Sequence, residues 1–316
     1  MSTITVPHPP PSATDDSEKL REAFEGWGSD KKTIISILGH RNASQRKLIR
    51  EAYAEIYKED LCKRLEYELI RHFERAMLLW ALDPAERDAV LANGALRKGE
   101  TCDRVVLEIA CARSAEELLM VRRAYHERFK RSLEEDIASH TTGDIRKLLV
   151  AMVSSYRYEG PEVNASLASK EAQALNDAIQ SNCFNDEEVI RILSSRSKHQ
   201  LNATLNKYKD YFGTHIIKNL KSSPEDKFIP AIRIMIRCIY SPQKYFEKVI
   251  RHAIVGLGTD EEMLTRAIIT RAEVDLREIK EAYQKRNSKS LEKAVADDTS
   301  GDYKDFLLTL LGAENL

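Results

Sequence analysis

Two short turns in this 316-residue chain carry the residue types of a hard-cation site. One is Phe24-Glu-Gly-Trp-Gly-Ser-Asp30 and the other is Ile254-Val-Gly-Leu-Gly-Thr-Asp260. Each holds a Gly-x-Gly, and each is followed at a distance by a carboxylate. Gly28 stands 40 residues before Glu68, and Gly258 stands 40 residues before Asp298. Glycines let a loop fold so that successive carbonyl oxygens face inward. Calcium takes about 6–8 oxygens and accepts carbonyls and bidentate carboxylates in loose geometry. Three loop carbonyls and one bidentate carboxylate supply about five of them. The rest are left to water or to a ligand oxygen such as a lipid phosphate. A Gly-x-Gly alone is a common turn. Its coupling to a carboxylate, twice in one chain, favours the cation reading. Asp30 and Asp260 follow the turns and read as helix N-caps rather than ligands.

The elements that must position these turns repeat four times. The segments 37–53, 109–125, 192–208 and 267–283 each hold an arginine followed twelve residues later by a tyrosine. The pairs are Arg41 with Tyr53, Arg113 with Tyr125, Arg196 with Tyr208, and Arg271 with Tyr283. Eight residues past each tyrosine lies an aliphatic residue: Leu61, Leu133, Ile216 or Leu291. Measured from the arginine, the Gly-x-Gly survives only in units 1 and 4; unit 2 has Lys98 and Glu100 there, and unit 3 has Ser181 and Cys183. Fifteen residues past the tyrosine, the carboxylate likewise survives only in units 1 and 4, against His140 and Ser223 in the other two. The two features are kept together and lost together.

Apolar residues within a unit recur at three and four, as in Leu48, Ile49, Ala52, Tyr53 and Ile56. That is the stripe of an amphipathic helix. Ser114 and Glu117 read as a capping box. Only five prolines stand after residue 11, as a mostly helical chain requires. The expected fold is all-α: four modules of short helices at residues 15–84, 85–156, 171–240 and 241–316. Residues 1–14 read as a disordered tail. The offset between the second and third arginines is about ten longer than its neighbours, which suggests a linker at 157–170 and a pairing of unit 1 with 2 and of 3 with 4.

Composition closes several routes. Forty-nine Lys and Arg balance 50 Asp and Glu, so no global field draws the chain to nucleic acid or an anionic membrane. Five cysteines without a CxxC argue against a disulfide framework or a structural zinc. The N-terminus lacks the basic and apolar regions of a signal peptide, and no apolar run reaches the ~20 residues of a membrane span. These features lead to the expectation of a cytoplasmic protein.

With Gly26-Trp-Gly-Ser-Asp30 and Glu68, and Gly256-Leu-Gly-Thr-Asp260 with Asp298-Thr-Ser-Gly-Asp-Tyr303, the sequence resembles an annexin, and within that family its plant members. The resemblance runs through the chain beyond the tail. It implies a curved disc of four repeats with five helices each, and Ca2+ loops on the convex face. It implies calcium-dependent, reversible binding to anionic phospholipid membranes. The metal ligands it implies are the carbonyls of Phe24, Gly26 and Gly28 with Glu68, and those of Ile254, Gly256 and Gly258 with Asp298. Trp27 and Leu257, at the loop tips, are then the membrane contacts. A monomer in solution that can assemble on membranes is also implied.

Further activities rest on less. His40 lies in a segment proposed in plant annexins to bind haem and support a peroxidase. Cys111 and Cys238 match a cysteine cluster proposed there as redox-active, though Leu107 stands where a methionine is expected. Ile190-Arg-Ile192 and Ile232-Arg-Ile234 resemble a triplet suggested for F-actin contact. Asp298-Thr-Ser-Gly301 looks like a fragment of a nucleotide motif, but it has a counterpart in His140-Thr-Thr-Gly143 and no phosphate loop accompanies it. A channel along the disc axis is a further property of the family. The chain carries no obvious catalytic constellation, so the reading is a binding protein and not an enzyme, with an additional peroxidase-like, nucleotide phosphatase or ion-conducting activity on the same scaffold as the alternative.

Overall fold

The computed structural model describes residues 1–25, 28–99, 102–223, 225–256 and 258–313. Twenty helices, and no strand among the described residues, make the chain all-α as expected. The helices fall into four sets of five. Repeat 1 holds α1 (Ala13–Phe24), α2 (Lys31–Leu38), α3 (Ala43–Tyr57), α4 (Leu61–Glu68) and α5 (Arg71–Ala81). Repeat 2 holds α6 (Pro84–Lys98), α7 (Cys102–Ala112), α8 (Ala115–Phe129), α9 (Leu133–His140) and α10 (Gly143–Ser154). Repeat 3 holds α11 (Ala165–Gln180), α12 (Glu187–Ser195), α13 (Lys198–Phe212), α14 (Ile216–Asn219) and α15 (Phe228–Tyr240). Repeat 4 holds α16 (Pro242–Ile254), α17 (Glu261–Arg271), α18 (Leu276–Asn287), α19 (Leu291–Asp298) and α20 (Gly301–Leu310).

Local chemistry sets the helix ends. α3 and α8 start with reciprocal capping boxes, Asn42 with Gln45 and Ser114 with Glu117. The third helix of every repeat stops at a left-handed residue: Lys58, Lys130, Gly213 or Ser288. The spaced anchors all turn inward. Tyr53, Tyr125, Tyr208 and Tyr283 are buried, as are Leu61, Leu133, Ile216 and Leu291.

The repeated arginine is a tie between helices, buried in repeats 1, 2 and 4 and half-buried in repeat 3. Arg41 reaches back 25 residues to Asp16, with Nε 2.6 Å and Nη2 2.8 Å from the two carboxylate oxygens. Arg113 meets Asp88 at 2.5 Å and Arg196 meets Glu171 at 2.6 Å, across the same interval. Repeat 4 has Phe246 at that place instead of an acid. There the Arg271 guanidinium lies 4.6 Å from the Phe246 ring centroid and bonds Asp275 at 2.7 Å. Asp275 sits at the N-cap of α18 but makes no capping bond with its side chain, which is already held by Arg271.

The helices divide into two compact units, residues 1–87 with 243–316, and residues 88–242. In the first, α5 packs on α17 and α20, and α2 packs on α20. In the second, α7 packs on α15, and α10 packs on α12 and α15. Repeat 1 therefore partners repeat 4, and repeat 2 partners repeat 3. This corrects the pairing of 1 with 2 and 3 with 4: the apolar faces of the helices decide the partners, not the length of the connection. The expected linker at 157–170 is also shorter than proposed, because Asn164 caps α11 and the helix begins at Ala165. The tail at 1–14 is not loose throughout. Thr3 is buried; its N–H donates to the Ala272 carbonyl at 2.9 Å and its hydroxyl to the Leu310 carbonyl at 2.6 Å. Helix α1 is already formed at Ala13.

Candidate calcium loops

The turns that open repeats 1 and 4 share one construction. Helices α1 and α16 end at Phe24 and Ile254, both buried. The backbone then doubles back, and the Asp30 N–H donates to the Ala23 carbonyl at 2.8 Å. The matching bond, Asp260 to Ala253, is also 2.8 Å. Gly28 and Gly258 take φ of +92° and +89°, where L side chains are strained, and a Cβ at either would meet nothing within 4 Å. Conformation, not space, requires glycine there. Asp30 and Asp260 then accept from the N–H groups of Thr33 and Met263, at 3.1 and 2.8 Å, and start α2 and α17 as N-caps. Gly26, Trp27 and Leu257, expected as ligand and membrane contacts, lie outside the described residues.

The distant carboxylates arrive at these loops. Glu68 and Asp298 are the last residues of α4 and α19. The Ser29 hydroxyl donates to Glu68 Oε2 at 2.7 Å, and the Thr259 hydroxyl lies 2.6 Å from Asp298 Oδ2 and 2.8 Å from the Asp298 carbonyl oxygen. These two hydroxyls were not singled out in the sequence. Unit 2 also has a hydroxyl residue in register, Thr101, although its carboxylate position is His140, so hydroxyl type alone marks nothing. Asp298 also borders a cleft of about 370 Å³, shared with Lys31, His72, Glu261 and Tyr303. A loop of backbone oxygens, with one carboxylate oriented by a hydroxyl, suits a hard cation that prefers oxygen donors. Among the described residues no three His, Cys, Asp or Glu side chains are grouped so as to hold a metal ion, and a cation at these loops would draw mainly on backbone oxygens.

Repeats 2 and 3 are built differently. Repeat 3 closes its first turn with Cys183 N–H on the Ala178 carbonyl and Asp186 N–H on the Cys183 carbonyl. His140, at the carboxylate place of repeat 2, has Nδ1 2.8 Å from its own Asp136 carbonyl.

Just past the carboxylate register, the chain turns through a left-handed residue into the fifth helix in repeats 1, 2 and 4. Gly143 and Gly301 do this at φ of +61° and +62°, and Arg71 does it in repeat 1 at +56°. The Asp298-to-Gly301 tetrapeptide thus forms a turn that it shares with the His140-to-Gly143 segment of repeat 2. A left-handed Arg carries strain that glycine lacks. Arg71→Gly is expected to stabilise the protein by about 0.5–1 kcal/mol in chemical denaturation, the strain relief exceeding the entropy of the added glycine.

The remaining candidates do not join these loops. His40 lies two residues past the end of α2, with Nδ1 2.7 Å from the Ser36 carbonyl oxygen. Cys111 and Cys238 are about 1% exposed, on the packed helices α7 and α15. Burial beside them pushes the Lys198 ammonium below its usual range, while its Nζ donates to the Arg113 carbonyl at 3.1 Å. In the two actin-like triplets Ile190, Ile192 and Ile232 are buried, while Arg191 is exposed and Arg233 and Ile234 are half-buried. No helix among the described residues is long and apolar enough to cross a membrane.

The annexin family model matches residues 15–80, 87–152, 170–229 and 245–310, once per repeat. The annexin-like protein RJ4 of Fragaria ananassa is 59% identical over 315 residues, covering 100% of both chains. The solved structure of annexin III superposes with a TM-score of 0.91 at 31% identity, over 98% of this chain and 97% of that one. A calcium-bound annexin (Sm)1 gives a TM-score of 0.85 at 27% identity, over 99% and 93%.

Proposed function

The chain belongs to the annexin family, known for calcium-dependent phospholipid binding, and from that we propose that it binds anionic membranes reversibly through the loops of repeats 1 and 4. The observation that carries this is the matched pair of loops. Both have the same closing bond, the same left-handed glycine and a hydroxyl on a carboxylate 40 residues away. The ligands would be the carbonyls of Phe24, Gly26 and Gly28 with Glu68, and those of Ile254, Gly256 and Gly258 with Asp298. Bound there, calcium would supply the charge and the open coordination positions that a lipid phosphate needs.

The chain's own residues do the rest. Ser29 and Thr259 hold the carboxylates toward the loops. Trp27 and Leu257 would enter the interfacial region, where an amphipathic indole is favoured. Three exposed apolar residues add to these tips: Tyr67 and Ile70 on either side of the α4 end, and Val255 beside Gly256. None of the three stands out in sequence, because each follows or precedes a helix stripe without belonging to it. In this reading the protein is cytoplasmic and moves to membranes when calcium rises.

Thr259→Val should leave the fold intact and raise the calcium needed for vesicle binding about tenfold, since groups that orient a metal ligand typically matter that much. Vesicle sedimentation at graded calcium measures it. The reading as a whole is tested with the full chain and phosphatidylserine vesicles, against phosphatidylcholine vesicles and against excess chelator. Pelleting only with phosphatidylserine and calcium together is expected. Equal pelleting in chelator, or none at millimolar calcium, would refute it.

A further inference from the structure

A charged side chain in the carboxylate helix of repeat 1 has no counterpart in repeat 4. Arg64, on α4 one turn before Glu68, points into the loop of repeat 1. Its Nη2 lies 2.7 Å from Glu68 Oε1 and 3.2 Å from the Phe24 carbonyl oxygen. Its Nη1 is 3.8 Å from Glu59. The guanidinium carbon is 5.7 Å from the Phe24 ring centroid and 5.8 Å from that of Tyr67. The side chain is only 22% exposed. A single cationic group thus bridges the backbone oxygen and the carboxylate expected to take the metal in this repeat.

Among the described residues of repeat 4 no arginine or lysine is paired with Asp298 in this way. The residue in register, eleven past the repeat tyrosine, is Ala294, and it is buried. In repeats 2 and 3 that register position serves the tyrosine. Asp136 accepts from the Tyr125 hydroxyl at 2.6 Å, and Asn219 donates to the Tyr208 hydroxyl at 2.8 Å. Arg64 has left that task and turned to the loop.

We infer that Arg64 is a resident cation competing with calcium for the loop of repeat 1, so that repeat 1 is the weaker site and fills after repeat 4. The inference rests on the proposed calcium loops. A guanidinium and a metal ion cannot both take Glu68 Oε1 and the Phe24 oxygen. Entry of the metal must therefore break a charge-assisted bond, which is stronger than a neutral one. The bridge is strong enough to compete and still displaceable: Arg64 Nε is buried without a hydrogen-bond partner among the described residues. Leaving a buried donor unmade costs free energy, so the bridged state is not a deep trap. The bridge also neutralises Glu68 while no metal is present, which keeps a carboxylate and a row of carbonyl oxygens from repelling one another.

The test is calorimetric titration of the full-length protein with calcium chloride, without vesicles. In an Asp298→Asn background repeat 1 is left alone. Adding Arg64→Gln, which keeps much of the side chain and removes the charge, is expected to tighten calcium binding about tenfold, the equivalent of one charge-assisted hydrogen bond. Arg64→Ala, the residue type repeat 4 uses, should do the same. Melting of each variant in chelator confirms that it is folded; the Arg64 variants should melt somewhat lower without calcium and gain more on its addition. Unchanged or weaker binding in both folded Arg64 variants, with the Asp298→Asn parent binding calcium, would overturn the role of Arg64 alone. If neither the parent nor its Arg64 derivatives take up calcium, repeat 1 is not a calcium loop and both readings fall.

Discussion

Changing Glu68 to Gln and Asp298 to Asn together is expected to raise the calcium needed to pellet the protein with phosphatidylserine vesicles about a hundredfold or more. The size follows from the donor set. Each loop offers neutral carbonyl oxygens and a single formal charge, and calcium sites span decades of affinity according to ligand charge. An amide keeps the side-chain volume and can still accept from Ser29 or Thr259, so the fold should survive. Single exchanges should leave partial binding. Asp298→Asn should cost more than Glu68→Gln, because Glu68 is already engaged by Arg64 at 2.7 Å. Circular dichroism on each variant separates lost binding from lost structure. Equal binding by the double variant and the parent would contradict the loop assignment.

The second large effect concerns stability. Arg41→Ala should destabilise the protein by about 3–5 kcal/mol, the usual consequence of removing one partner of a buried ion pair. Asp16 is about 1% exposed and makes two short bonds to Arg41. Without the guanidinium it would be a buried charge with no counter-ion, and α1 would lose its tie to the turn before α3. Chemical denaturation monitored by far-UV circular dichroism measures the loss. Arg271→Ala should cost less, because its partner Asp275 can return to capping α18. A change within about 0.5 kcal/mol for Arg41→Ala, the range of ordinary surface substitutions, would refute the role given to the pair.

The anchors that exposed the fourfold repeat in the sequence were legible because they are core residues. Tyr53, Leu61 and Arg41 are each buried, so their types cannot drift and their spacing keeps step with the helices. The same constraint made Gly28 and Gly258 visible, since only glycine suits their backbone without strain. What spacing could not reveal was which repeats pack together. The longer connection before Ala165 suggested one pairing, whereas the faces of α5 and α17, and of α7 and α15, made another. Arg64 was invisible for a related reason. Its register position carries Asp136, Asn219 and Ala294 elsewhere, so no pattern announces that the arginine faces the loop. Thr3 escaped notice because a threonine in a proline-rich stretch has no periodicity to betray its burial against repeat 4.

The central claim is that repeats 1 and 4, and not 2 and 3, hold calcium in loops of backbone oxygens closed by Glu68 and Asp298. A crystal structure of the full chain grown with calcium tests this directly. The account predicts one cation in each of those two loops, about 2.3–2.6 Å from the carbonyl oxygens and the carboxylate, with Arg64 turned away from Glu68 in repeat 1. Empty loops in repeats 1 and 4, or cations of the same type in the corresponding turns of repeats 2 and 3, would contradict it.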